Sequence, residues 1–81
     1  PLTEERRKEI VKKVHVEGEH SRVAIRNIRR DAIEHIKKLQ KQGVSEDLAG
    51  DAEKEVQEMT NINIAQVEKH LVAKEKEIMS I

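Results

Sequence analysis

The sequence predicts an all-α fold: one long antiparallel helical hairpin that forms part of a larger bundle. Three observations carry this reading. Only three Gly and one Pro occur in 81 residues, too few turn formers for a β-protein. Apolar residues recur at helical rather than alternating spacing over two long stretches. A single turn signal, Gln42-Gly43-Val44-Ser45, divides those stretches.

The elements follow in order. Pro1-Leu2-Thr3 opens the first helix, with Thr3 as N-cap and Glu4 and Glu5 at the positive end of the helix dipole. That helix runs over residues 4–41, and its only interior weak point is Gly18, which costs about 1 kcal/mol relative to Ala. Lys37, Lys38 and Lys41 suit a helix C-terminus, and Gly43 suits the left-handed position just beyond it. Ser45 caps the second helix, with Glu46 and Asp47 in its first turn. The second helix runs over 46–79, with Gly50 as its one weak early position. Each helix is roughly 55 Å long at 1.5 Å per residue, and the turn over 42–45 forces them antiparallel. Residues 1–81 read as one helical domain.

On the first helix Ile10, Val14, Ile25, Ile28, Ala32, Ile36 and Leu39 fall within about 80° of one another at 100° per residue. Gly18 and Ser21 share that stripe and are expected to thin it. The second helix offers Ala52, Val56, Met59, Val67, Leu71 and Ile78, with Asn63 inside the stripe. The two stripes are expected to face each other. Val16, Val23, Ile33, Ile62 and Ile64 lie outside them. A further surface is therefore expected to be covered, by a third helix or by a second copy, which makes the chain a homo-oligomer. The plainer reading is that single exposed apolar residues are ordinary.

Composition excludes several functions. Without Cys there is no disulfide framework, thiol chemistry or Cys-ligated zinc. Without Phe, Tyr or Trp there is no platform for stacking single-stranded bases. No apolar run approaches the ~20 residues of a membrane span, and PLTEERRKE has no signal-peptide pattern. Balanced charge and the missing aromatics also argue against a membrane-surface helix. His15, His20, His35 and His70 lack i,i+4 partners, and the acids Glu46 to Glu58 lack the ligand order of a calcium loop. Ser45 is a cap rather than a nucleophile, since no histidine or oxyanion-hole pattern accompanies it. No catalytic site, cofactor or metal is expected, and the chain does not read as an enzyme.

The 16 basic and 16 acidic residues cancel overall but are segregated. Residues 21–41 hold seven basic groups against Asp31 and Glu34, while residues 45–58 hold six acids against Lys54. Within the basic block, Arg22, Arg26 and Arg29 project about 40–100° from Ile25, and Arg30 about 140°, at 100° per residue. Their guanidinium forks match phosphate oxygens, and a stiff helix presents them at fixed spacing, as folded RNA would require. By spacing alone the favoured reading of the stripe is a solvated face paired to acids, Glu19 for Arg22 and the acidic second helix for Arg26.

The segment RVAIRNIRRDA, with PLTEERRKE upstream, VSED at the turn and KEKEIM near the end, resembles the ribosome recycling factor family. The motifs stand in the family's order, and the likeness covers essentially the whole chain. The resemblance implies a cytoplasmic translation factor of bacteria or organelles that acts after termination. Together with elongation factor G, which hydrolyses GTP, such a factor splits the post-termination ribosome into subunits. It also implies a three-helix bundle, with a small β-rich domain inserted between the first and second helices. The bundle would lie on large-subunit ribosomal RNA near the peptidyl-transferase region. Within RNIRRDA the resemblance assigns ribosome binding to Arg26 and Arg29 first, with Arg22 and Arg30 in support. The chain is expected to match the second and third bundle helices, without the first helix and the inserted domain. It departs from the family at a slightly shorter turn at Gln42-Gly43, and at Ile62 and Asn63, where small or polar and apolar residues are expected respectively. The other reading is a truncated or engineered scaffold, or a protein-interaction hairpin, without ribosome activity.

Overall fold

The computed structural model describes residues 3–80. Pro1 and Leu2, expected at the opening of the first helix, lie outside the described residues. Helix α1 spans Glu4–Lys41 and helix α2 spans Glu46–Ser80, packed antiparallel. The hairpin measures 62 × 15 × 9 Å, and its radius of gyration is 18.5 Å. A compact chain of this length would have a radius near ~12 Å. The architecture is the all-α helical hairpin that the sequence predicts.

Local chemistry fixes the helix ends. Thr3 is extended, and its Oγ1 accepts a hydrogen bond from the Arg6 backbone N–H at 3.1 Å. Thr3→Ala is expected to lower stability by about 1 kcal/mol, read from denaturant unfolding at fixed protein concentration. At the other end the Val44 N–H donates to the Leu39 carbonyl and the Gly43 N–H to the Gln40 carbonyl, both at 3.1 Å. This is a Schellman closure, and it turns Val44 back toward Leu39. Gly43 has φ 114°, a left-handed conformation that a Cβ would strain by roughly 1–2 kcal/mol. Ser45 Oγ then accepts from the Leu48 N–H at 3.2 Å and starts α2.

The turn sets the register between the helices. Gly18 meets Leu71, Arg22 meets Glu68 and His15 meets Glu75, so facing positions have numbers that add to 89 or 90. The covered positions of α1 include 7, 18, 29 and 40, then 11, 22 and 33, then 14, 25 and 36. Those of α2 include 49, 60 and 71, then 53, 64 and 75, then 56, 67 and 78. Both helices thus repeat every eleven residues. That period is about 3.67 residues per turn, close to the straight helix's own, and imposes only a shallow right-handed supercoil.

Two expectations need correction. Gly18 does not thin the seam; it is buried, and it is where the helices approach most closely. A Cβ at Gly18 would lie 2.6 Å from Leu71 Cδ1. Nor do the two apolar stripes face each other squarely. The interhelical line carries Arg22, Arg29 and the buried Thr60, and the apolar stripes are rotated from it by roughly 45–60°. Both rotate toward the same side of the hairpin. Ile28 and Met59 are accordingly 69% and 61% exposed, on an open groove that also carries Ile25, Ala32, Val56 and Asn63. The groove continues past Gly18 to Ile10, Val14 and Ile78. Thr60 Oγ1 donates to the Val56 carbonyl and Asn63 Nδ2 to the Met59 carbonyl, both at 2.7 Å, so each of these groove side chains has a partner on its own helix.

Candidate nucleic-acid interface

The four arginines lie on one uninterrupted stretch of α1, but the structure divides them. Arg22 occupies a contact position against α2, with a side chain only 17% exposed. Its Nε and Nη2 donate to Glu19 Oε2 at 3.0 and 2.9 Å, and its Nη1 donates to Glu68 Oε1 at 2.6 Å. The hydrogen bond to Glu19 holds the guanidinium above its ordinary pKa; partial burial opposes this, and Glu68 adds to it. Two carboxylates thus neutralise Arg22 locally.

Arg29 lies two turns further along the same contact line, half-buried, and its Nη1 donates to Gln57 Oε1 at 3.2 Å. Gln57 is in turn fixed by its own Nε2 donating to Asn61 Oδ1 at 2.9 Å. Arg29 Nε is buried without a partner among the described residues. An amide oxygen leaves the guanidinium charge intact, so Arg29 is oriented but not neutralised. Arg26 and Arg30 are exposed and have no hydrogen-bond or ion-pair partner among the described residues. They sit one turn apart, about 6 Å along the axis.

The expected pairing of Arg22 with Glu19 is present. The expected reach of Arg26 to the acidic second helix is absent among the described residues. The acid of α2 that meets the stripe is Glu68, beyond the acidic block of residues 45–58. Glu68 and Gln57 were not singled out in the sequence because they are remote from the arginines along the chain. Counting outward from Gly43 gives the register that brings Glu68 to Arg22. Arg7 was also passed over. It is two eleven-residue repeats before Arg29, half-buried like it, and its Nε is likewise buried and unpartnered among the described residues. The repeat is the signal that would have found it. No helix is long and apolar enough to cross a membrane among the described residues.

These features define a helical-bundle protein, open along one apolar groove and carrying a graded row of arginines along one helix. Residues 1–79 match the family model for ribosome recycling factor. The chain is 56% identical over 82 aligned positions to the ribosome-recycling factor of Symbiobacterium thermophilum, covering all of this chain and 44% of that protein. It is 54% identical to that of Xanthomonas oryzae pv. oryzae, again over all of this chain and 44% of the relative. With the ribosome-recycling factor of Flavobacterium johnsoniae it shares 49% identity over its full length and 43% of the relative's. The chain belongs to the ribosome recycling factor family, a family of translation factors. It spans less than half the length of the curated relatives it matches.

Proposed function

We propose that this chain is the ribosome-docking part of a recycling factor. In this reading Arg26 and Arg30 contact large-subunit ribosomal RNA phosphates directly. Arg29 contributes its free donors from an orientation set by Gln57. Arg22 acts through Glu19 and Glu68 as a positioning residue that holds the arginine-bearing helix against α2. The observation that carries the reading is the pair of unpartnered guanidinium groups within RNIRRDA, in a chain of this family. In the complete protein the bundle would work in the cytoplasm with elongation factor G, whose GTP hydrolysis drives subunit splitting. The first bundle helix would lie in the open groove.

The test is co-sedimentation with purified large ribosomal subunits across a salt series. Phosphate contacts predict binding that falls steeply with salt, the logarithm of the constant losing about 0.7–0.9 per phosphate for each logarithm of salt. Binding that ignores salt, or no binding at all, would favour a helical scaffold instead. A second expected result separates the arginines. Arg22→Ala lowers the thermal midpoint of the chain but leaves the salt slope unchanged, because its charge is already matched by carboxylates. Arg26→Ala reduces the slope by about 1 and leaves the midpoint in place.

A further inference from the structure

We propose that Lys37 and Lys41 are a second pair of RNA phosphate contacts, an extension that rests on the docking role proposed above for Arg26 and Arg30. The eleven-residue repeat places them. One repeat beyond Arg26 and Arg30 stand Lys37 and Lys41, at the same azimuth and about 16 Å further along the rod. Each pair spans one turn of helix. All four side chains are exposed, and none has a hydrogen-bond or ion-pair partner among the described residues. One repeat in the other direction the pattern stops. There His15 lies 3.4 Å from Glu75, and Glu19 accepts from Arg22. The free cationic strip thus begins at Arg26 and runs to the turn.

Helix α2 keeps the middle of that strip free of negative charge. Glu68, which pairs with Arg22, has Gln57 as its equivalent one repeat nearer the turn, and Gln57 meets Arg29. Lys54 and Asn61 flank Gln57 on the same side of α2. Asp47, Asp51, Glu55 and Glu58 are exposed and project from the side of α2 that faces away from α1. The acids nearest the lysine pair by register are Glu34, Glu46 and Glu53, and none of them forms an ion pair with it among the described residues. A straight, rigid row of four cations, in a chain without aromatic residues, suits the backbone phosphates of RNA held in a fixed shape rather than stacked bases. Lysines near a helix C-terminus also serve the helix dipole, and Lys38 and Lys41 share that last turn. Lys38 lies about 100° round the helix from Lys37, off the strip, so it separates the two roles.

Co-sedimentation with large ribosomal subunits across a salt series, with thermal unfolding alongside, tests the pair. Lys37→Ala combined with Lys41→Ala is expected to reduce the salt slope by about 2. Lys37→Ala alone reduces it by about 1, which keeps the test readable where the double variant abolishes binding. Lys37→Arg with Lys41→Arg keeps the parental slope, and so does Lys38→Ala, although it removes a charge from the same helix end. A parental slope in the double alanine variant, while Arg26→Ala lowers it, would overturn the second pair and leave the docking role of the arginines standing. That result with a lowered thermal midpoint would assign the lysines to the helix terminus alone. A slope reduced by about 1 on Lys38→Ala would also overturn the proposal, because net charge rather than position would then set binding. Salt-independent or absent binding by the parent chain defeats the docking role itself, and the lysine pair with it.

Discussion

Arg26→Glu combined with Arg30→Glu is expected to weaken binding to large ribosomal subunits by two orders of magnitude or more at low salt. Each substitution removes a phosphate contact and adds a charge that repels the backbone. Losing two contacts alone reduces the salt slope by about 2. The helix signal and thermal midpoint should be unchanged, since both side chains are exposed and neither has a hydrogen-bond or ion-pair partner among the described residues. A double variant that binds like the parent would remove the arginine row from the docking surface. Arg29→Glu is expected to combine both effects: it loses a docking charge and also the bond to Gln57. That mixed signature distinguishes Arg29 from its two exposed neighbours and from Arg22.

The largest expected effect on stability is at the closest approach of the helices. Gly18→Leu forces a branched side chain into the space held by Leu71 and is expected to cost about 3 kcal/mol or more. Gly18→Ala is milder. The helix gains about 1 kcal/mol of intrinsic propensity, but the methyl meets Leu71 Cδ1 at 2.6 Å and must displace a buried side chain, for a net loss near 1 kcal/mol. Leu71→Ala alone opens a cavity and costs roughly 2–3 kcal/mol. The double variant Gly18→Ala with Leu71→Ala should be more stable than the two losses added together, because the inserted methyl fills part of what the truncation vacates. Denaturant unfolding of the four variants at one protein concentration measures that coupling. Strict additivity would mean that the two residues do not share the contact.

The hairpin was legible because its decisive signals are local. A Thr cap, a Ser cap and a glycine with positive φ act over three or four residues, and their meaning does not depend on the rest of the fold. The precise facing of the helices was not legible, and Ile28 shows why. Its apolar side chain marks a surface that something covers, but not whether the cover is α2 or another body. Arg22 and Arg29 hid the true contact line, since charged residues on a wheel read as solvent-facing until a partner such as Glu68 or Gln57 is placed beside them. Gly18 was legible as a weak helix former and illegible as a packing device, because only the opposite helix supplies Leu71. The motif RNIRRDA located the candidate docking segment, but ranking its arginines needed the partners that the fold brings from α2.

The eleven-residue repeat has a mechanical consequence. In a strongly supercoiled pair the faces wind around the axis, so a face at one end is offset in azimuth from the same face at the other. Here the contact line scarcely winds over the 62 Å rod. Whatever seats itself in the apolar groove therefore also sets the azimuth of Arg26 and Arg30, however far along the rod it holds. The hairpin transmits torque as a key does in a lock: turning the shaft at the groove turns the arginines through the same angle.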